Sequence, residues 1–318
     1  MKMQNDRVVA GFSLRQRNLK VARVPYHQGR ATLGISSRTR TVALFGYPVR
    51  HSLSPVFQNA AFQAAGIDAV YLCYEVPAQQ LKEAVRAIRT LNFLGANLTI
   101  PHKEAVIPFL DEISPLSRKM GSVNTIVVEQ NGRLRGESTD GKAFLRSLKE
   151  EIGVDVKGKK VFLVGTGGAG RAVAFSLIEA KAHLYLTNRP EEKIKLTRLI
   201  ADLKHFYPEE KTCGVEFSAR SKFLKSTKID ILINATSVGL ERKEDSLFSE
   251  NDLTEDLIVY DLIYHHKTRL LQSAENRGLK TVSGLGMLIH QGAISFELWT
   301  GKTAPVQAMF DAVKNYER

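Results

Sequence analysis

Cysteine is scarce in this chain of 318 residues, which has only Cys73 and Cys213, far apart in sequence. They form neither a Cys-x-x-Cys motif nor a cluster with histidine, which excludes a disulfide framework and a cysteine-based zinc site. We interpret both as buried thiols of a protein in a reducing, cytoplasmic compartment. Long hydrophobic runs are also missing, since no stretch approaches the roughly 18 apolar residues that a membrane span needs. The sequence therefore predicts a soluble protein with no membrane partner.

Acidic residues are few relative to basic ones, 33 against 45, which gives a net charge of +12. Such an excess is typical of proteins that bind a polyanion. However, residues 1–40 contain nine Lys or Arg and one acid, a net +8, which leaves 36 basic and 32 acidic residues in 41–318. That remainder shows no DNA- or RNA-binding motif. We therefore expect no nucleic-acid partner.

Residues 1–40 show no sustained period of 2 or 3.6 and no apolar core of a secretory signal. Their Arg-rich, acid-poor composition fits half of an organelle transit signature, but they contain only three serines. We expect a disordered basic extension or an over-long start, and organelle targeting is the alternative.

From Thr41 onward, short β-branched runs alternate with amphipathic stretches, a pattern that predicts parallel sheets covered on both faces. The predicted strands are 41–47, 70–76, 95–100, 159–165, 183–188, 215–217, 229–236 and 257–263, with a hairpin over 123–139. The predicted helices are 55–65, 78–90, 102–110, 142–150, 168–180, 190–204, 267–276, 287–299 and 305–316. The length and the two series of strands predict an α/β protein of two domains.

A glycine-rich turn follows the predicted strand 159–165 and opens the helix after it. Its sequence, Gly165-Thr166-Gly167-Gly168-Ala169-Gly170, is a G-x-G-x-x-G motif in the strand–turn–helix context that a dinucleotide site requires. The glycines allow a tight turn, and the helix N-terminus offers free N–H groups to a pyrophosphate. The sequence therefore predicts a dinucleotide cofactor.

In an NAD enzyme, an acidic residue at the end of the next strand usually binds the ribose 2′-hydroxyl. This chain has no acidic residue at the end of that strand. The strand end reads Asn188-Arg189-Pro190, with Lys193 one turn later, and these cations and the amide could bind a 2′-phosphate. We therefore predict NADP, and the alternative is a solvated helix start whose charges are incidental.

Polar residues follow the first and third predicted strands. Ser52 and Ser54 can present two hydroxyls to a ligand, although Ser54 before Pro55 also fits a helix N-cap. Asn97 and Thr99 share one face of their strand, and Lys103 lies in the first turn of the next helix. A cation there is disfavoured by the helix dipole, so Lys103 is either an acid/base or a solvated lysine.

The predicted hairpin turns at Asn131-Gly132, a type I′ signal in which position 130 faces 133. That register places Asn124 opposite Thr139 and beside Asp140, so that an amide and a carboxylate converge at the open end of the ribbon. The alternative for Asp140-Gly141 is a turn before the following helix.

The segments HSLSP, NLTIPHK, GSVNTI, STDG, GTGGAGRA, NATSVG and GLGMLIHQGAISFELWTG occur here in the order typical of the shikimate dehydrogenase family. The chain resembles that family over residues 41–318. The resemblance implies reversible, NADP-linked reduction of 3-dehydroshikimate to shikimate, in the pathway to aromatic amino acids. It also implies an α/β substrate domain (41–139 plus 284–318) and a Rossmann-type NADP-binding domain (140–283), as a monomer or homodimer without a metal.

The resemblance also assigns residues. Lys103 and Asp140 would be the catalytic pair. The substrate would be bound by Ser52, Ser54, Asn97, Thr99, Asn124, Tyr264 and Gln291. NADP would be bound by Gly165, Gly167, Gly168, Ala169, Gly170, Asn188, Arg189, Lys193, Thr236 and Gly284.

Some positions depart from the family's pattern. Gln58 replaces the usual His of S-P-x-x-H-N, Pro190 replaces a Thr, His265-His266 replaces an Asn-Pro, and Leu240 replaces a Met. Gln58 also resembles the quinate/shikimate subgroup, so a quinate/shikimate dehydrogenase using NAD or NADP is the nearest alternative. A catalytically silent nucleotide-binding regulator would lack Lys103 or Asp140, and both are present.

Overall fold

The computed structural model describes residues 34–242 and 244–316. Most of the predicted disordered extension, residues 1–33, therefore lies outside the described residues. The first strand begins at Arg40, one residue before the predicted start. Among the described residues, no helix is long and apolar enough to cross a membrane.

The first sheet has six strands in the order β2-β1-β3-β5-β6-β4. Its strands are β1 (Arg40–Gly46), β2 (Ala69–Glu75), β3 (Gly95–Leu98), β4 (Glu112–Ile113), β5 (Thr125–Val128) and β6 (Leu134–Glu137). β1 is parallel to β2 and β3, whereas β5 is antiparallel to β3 and to β6. The predicted hairpin therefore turns an otherwise parallel sheet into a mixed one.

Successive residues of β1 point to opposite faces of this sheet, as the pleat requires. Val42 and Leu44 join the core on one face, and Ala43 and Phe45 join the core on the other. The sheet is therefore covered on both sides. The helices in this half of the chain are α1 (Ser54–Ala64), α2 (Leu81–Thr90), α3 (His102–Ala105), α4 (Pro115–Met120), α10 (Gly284–Thr300) and α11 (Val306–Tyr316).

The second sheet is parallel throughout, with the strand order β12-β11-β10-β7-β8-β9. Its strands are β7 (Lys160–Val164), β8 (His183–Thr187), β9 (Thr212–Gly214), β10 (Ile231–Asn234), β11 (Ile258–Asp261) and β12 (Lys280–Ser283). The helices are α5 (Asp140–Ile152), α6 (Gly168–Glu179), α7 (Lys193–Phe206), α8 (Arg220–Ser226) and α9 (Arg269–Asn276). The strand order reverses between β7 and β10, and ligands of open α/β sheets bind in the crevice at such a point.

The hairpin register was predicted wrongly by one residue. Thr125 pairs with Glu137 and Val128 with Leu134, so the loop contains three residues instead of two. Of the predicted turn pair, Gly132 alone takes a positive φ, +79°, and its N–H donates to Glu129 O at 2.9 Å. The loop is therefore a turn followed by a glycine in the left-handed backbone conformation, which is the other common short hairpin loop. Its extra residue changes the register.

The predicted helix 102–110 ends early, because Pro108 has no N–H to donate to the preceding turn. The chain instead forms α3 and then a 3₁₀ turn over Ile107–Phe109. The predicted strand 215–217 was also wrong, since β9 lies three residues earlier and Phe217 begins a 3₁₀ turn. β4, β12, α4 and α8 have no counterpart among the predicted elements.

Two smaller interpretations fail as well. Ser54 is the first residue of α1 instead of its N-cap, and its own N–H donates to Ser52 Oγ at 3.2 Å. The thiols are not buried as expected, because Cys213 is exposed on the edge strand β9 and Cys73 is half-buried.

Candidate active site

Four strands of the first sheet bring their ends to one edge. β1 and β3 are parallel and both end there, whereas β5 is antiparallel to β3 and begins there. β6 runs antiparallel to β5 and therefore ends at the same edge. This topology brings together side chains from the segments after β1, β3 and β6 and from the residue before β5.

Lys103 and Asp140 form the charged pair at this edge. Lys103 Nζ lies 2.6 Å from Asp140 Oδ2, with the lysine side chain 22% exposed and the aspartate 10% exposed. The other carboxylate oxygen, Oδ1, accepts a hydrogen bond of 2.8 Å from Asn124 Nδ2. The predicted convergence of Asn124 with Asp140 is therefore confirmed, although the register that led to it was wrong.

Asn124 is itself fixed by Thr139. Its Nδ2 donates to Thr139 Oγ1 at 3.0 Å, and its Oδ1 accepts from the Thr139 N–H at 2.9 Å. Val123, the preceding residue, donates its N–H to the backbone oxygen of Lys103 at 2.8 Å. The hairpin thus holds both members of the charged pair.

Asn97 is 4% exposed and is held by a buried polar network. Its Oδ1 accepts from the Tyr71 hydroxyl at 2.8 Å, and its Nδ2 lies 3.0 Å from Thr125 Oγ1 and 3.1 Å from Ser295 Oγ. Burial raises the pKa of Tyr71, which keeps its hydroxyl protonated as a donor. Sequence reasoning missed Tyr71 and Ser295, because both lie in elements whose pattern reads as core.

A cavity of about 360 Å³ opens beside the charged pair. Its lining includes the predicted residues Ser52, Ser54, Asn97, Thr99, Lys103, Asn124, Asp140, Ala169, Tyr264, Gly284 and Gln291. All nine predicted catalytic and substrate residues thus line one cavity, together with Ala169 of the glycine-rich turn and Gly284 at the start of α10. The cavity therefore joins the proposed substrate groups to the dinucleotide half.

Residues at the cavity edge differ in the hydrogen bonds and the burial of their side chains. Gln291 Nε2 donates to Leu288 O within its own helix at 2.9 Å. Tyr264 is half-buried, and burial raises the pKa of its phenol, so the hydroxyl stays neutral. Ser52 Oγ accepts the Ser54 N–H and still reaches the cavity.

The glycine-rich turn has the space that a pyrophosphate requires. A Cβ built on Gly167 or Gly168 would meet no atom within 4 Å, so both open onto free space. A Cβ on Gly170 would lie 2.3 Å from Gly165 O, and Gly165 itself has a φ of +101°. Two glycines thus permit the tight turn and two leave the N-terminus of α6 accessible, an arrangement that fits a dinucleotide.

A second cleft, of about 200 Å³, extends from this turn toward β8. Its lining includes Gly165, Thr166, Gly167, Asn188, Arg189, Glu192, Lys195 and Thr236. Asn188 Nδ2 donates to Thr166 Oγ1 at 2.7 Å, which ties the end of β8 to the glycine-rich turn. Besides glycines of the turn, this cleft is thus lined by three of the residues predicted to bind NADP, Asn188, Arg189 and Thr236.

Lys193 is placed differently from the prediction. It does not line this cleft, and its Nζ lies 3.8 Å from Glu216, with both side chains at least 70% exposed. Lys195 lines the cleft instead, and with Arg171 and Arg198 it also lines a neighbouring cleft of about 390 Å³. The chain passes through a 3₁₀ turn at Pro190–Glu192 before α7 begins, and this turn sets which lysine faces the cleft.

The matching family models and the curated relatives name one family. A family model described as shikimate dehydrogenase substrate binding domain matches residues 44–126, and one described as shikimate 5'-dehydrogenase C-terminal domain matches residues 284–314. The shikimate dehydrogenase (NADP(+)) of Methanopyrus kandleri is 41% identical over 292 residues, 90% of this chain and 99% of that protein.

Solved structures agree. A crystal structure of shikimate dehydrogenase in complex with NADP+ superposes with a TM-score of 0.82 at 36% identity, over 91% of this chain and 99% of that chain. The Thermus thermophilus shikimate 5-dehydrogenase in complex with NADP(H) and shikimate gives a TM-score of 0.77 at 34% identity, over 87% of this chain and 99% of that chain. With 41% identity to a curated relative over 90% of its length, the chain belongs to the shikimate dehydrogenase family.

Proposed function

We propose that this protein is an NADP-dependent shikimate dehydrogenase, which interconverts 3-dehydroshikimate and shikimate in aromatic amino acid biosynthesis. The observation that carries this function is the Lys103–Asp140 pair inside a cavity that also reaches Ala169 and Gly284. Relatives across most of the chain carry the name shikimate dehydrogenase (NADP(+)), which supports both the reaction and the cofactor. The quinate/shikimate alternative is not favoured by these relatives.

Lys103 supplies the proton in this reaction. NADPH, when bound, supplies the hydride that reduces the C3 carbonyl carbon of the substrate. The carbonyl oxygen takes a proton from the Lys103 ammonium as the new alcohol forms, so Lys103 acts as a general acid. In the reverse direction the neutral amine accepts the proton of the C3 hydroxyl.

Asp140 orients Lys103 and gives it a negatively charged partner. One carboxylate oxygen binds Nζ at 2.6 Å and the other binds Asn124, so the lysine has a defined direction before substrate arrives. Two further donors of the ammonium are available for the substrate. Holding the proton donor in place is the main contribution a protein makes when a cofactor carries the redox chemistry.

The remaining assignments are part of the proposal. Ser52 and Ser54 bind the substrate carboxylate through their hydroxyls. The ring hydroxyls are bound by Asn97, Thr99, Asn124 and Gln291, with Tyr264 at the edge of the site. NADP is held by Gly165, Gly167, Gly168, Ala169, Gly170, Asn188, Arg189, Thr236 and Gly284, and Lys195, which lines the cleft, takes the place that was predicted for Lys193.

The proposed division into a substrate domain (41–139 plus 284–318) and a Rossmann-type domain (140–283) is supported by the two sheets, whose strands fall on either side of it. We further propose that the enzyme is cytoplasmic and acts as a monomer or homodimer.

Initial rates with shikimate and with quinate, each with NADP and with NAD, test the function. The proposal expects the highest kcat/KM for shikimate with NADP. If no pair of substrate and cofactor is turned over, the proposed enzymatic function is rejected. A higher kcat/KM for quinate would favour a quinate/shikimate dehydrogenase.

A further inference from the structure

Glu192 places a carboxylate in the cleft where the cations for a 2′-phosphate lie. It is the last residue of the 3₁₀ turn Pro190–Glu192, and its side chain is 24% exposed. It lines the same cleft as Arg189 and Lys195. Neither the sequence motif nor the proposed cofactor set gives this acid a role.

Glu192 already binds both cations. Its Oε2 lies 2.6 Å from Lys195 Nζ, and its Oε1 lies 3.6 Å from Arg189 Nη2. Hydrogen bonding to Lys195 is the largest influence on this carboxyl and holds its pKa below the usual value, so it is anionic at neutral pH. A phosphate arriving at Arg189 and Lys195 would therefore compete with a resident anion and be repelled by it.

The same carboxylate has an opposite effect on a nucleotide without the phosphate. An acid beside the adenosine ribose accepts hydrogen bonds from its 2′-hydroxyl, which is how NAD enzymes usually recognise it. Here such an acid shares one cleft with two cations and with the amide of Asn188.

We propose that Glu192 sets how strongly this enzyme prefers NADP to NAD, by occupying Arg189 and Lys195 and by offering an acceptor to a free 2′-hydroxyl. This inference rests on the proposed function, because it concerns the cofactor of that same site. It makes Glu192 a specificity-determining residue that limits the preference for NADP.

The experiment uses Glu192→Gln, which removes the charge and keeps the shape. The matched control is Glu191→Gln, the same charge change on the adjacent residue, which is exposed and does not line the cleft. Both residues are at the surface of the turn, so both variants are expected to fold. Calorimetry in the absence of substrate measures the Kd of adenosine 2′,5′-bisphosphate and of 5′-AMP for each protein.

We expect Glu192→Gln to raise the preference for the bisphosphate over AMP about twofold to fivefold, a size typical of exposed charge pairs. Glu191→Gln should change it less than twofold. Lys195→Met should weaken the bisphosphate at least threefold and leave AMP unchanged.

The inference is overturned if Glu192→Gln keeps the wild-type preference, if Glu191→Gln shifts it equally, if Lys195→Met binds the bisphosphate like wild type, or if the bisphosphate does not bind at all. Shikimate turnover measured on the same samples separates the two proposals. Normal fragment binding without turnover rejects the proposed function, whereas normal turnover with an unshifted preference rejects the role of Glu192.

Discussion

The two carboxylate oxygens of Asp140 are divided between two partners: Oδ2 binds Lys103 Nζ at 2.6 Å, and Oδ1 binds Asn124 Nδ2 at 2.8 Å. Since Asn124 is also bonded to Thr139, the hairpin fixes the carboxylate and the carboxylate fixes the lysine. A substitution of Asn124 should therefore alter the position of Lys103 through Asp140.

Asn124→Ala should lower kcat about tenfold to a hundredfold and destabilise the protein by about 1–3 kcal/mol. The loss of stability follows because the buried Thr139 N–H loses its acceptor and Asp140 loses one donor. Urea unfolding and steady-state kinetics measure the two effects. Unchanged kcat would show that Asp140 holds Lys103 without help from the hairpin.

His266 should position the loop that carries Thr236. His266 Nε2 lies 2.8 Å from Gly239 O, and Asn234 fixes the start of the same loop by accepting the Thr236 N–H at 3.0 Å. His266→Ala is expected to raise the KM for NADP about threefold to tenfold and to leave the KM for shikimate within twofold, because the loop lines the cofactor cleft.

His266→Gln, which keeps a donor at a similar reach, should restore most of the loss. Lys267→Ala is the matched control, since it removes an exposed ion pair to Glu275 from the next position. Equal rises in both KM values, or no rescue by Gln, would show that His266 acts only through stability.

Asp252 should make stability depend on acidic pH. Burial alone would raise its pKa, but hydrogen bonds from Lys225, Ser249 and Ser221 outweigh that effect and lower the pKa to about 2. An unfolded aspartate titrates near ~3.9. The stabilisation is therefore complete above about pH 4 and is lost as pH falls toward about 2.

Asp252→Asn is expected to lower the free energy of unfolding by about 2 kcal/mol at pH 7. The difference from wild type should shrink as pH falls from about 4 toward about 2, which denaturant unfolding at several pH values measures. A difference that stays constant over this range would mean that Asp252 contributes through packing instead of charge.

The predicted site residues come together although the predicted hairpin register was wrong. The Asn131-Gly132 pair fits a two-residue turn, but a single left-handed glycine at Gly132 adds a third loop residue and shifts the register. Asn124 still reaches Asp140, because side-chain hydrogen bonds bridge one position along the strands. Turn geometry of this kind depends on which φ each residue adopts, and two turn types share the same residues.

Sequence spacing alone could not show which lysine faces the cleft. Lys193 follows Arg189 by one α-helical turn, yet Pro190 begins a 3₁₀ turn that delays α7 and brings Lys195 to the cleft. The buried network around Asn97 was equally hidden, since Tyr71 lies in a strand and Ser295 in a helix far along the chain. Motif positions were predictable, whereas partners that depend on packing were not.

Lys103→Ala tests the central claim most directly. As the proposed proton donor, Lys103 should contribute about 10²–10⁴ to the rate, so its removal should lower kcat by that factor while the KM for shikimate rises only a few-fold. Steady-state kinetics with shikimate and NADP, on a variant whose folding is confirmed by circular dichroism, provide the measurement. A large rise in KM with kcat nearly unchanged would contradict the account and make Lys103 a substrate-binding residue.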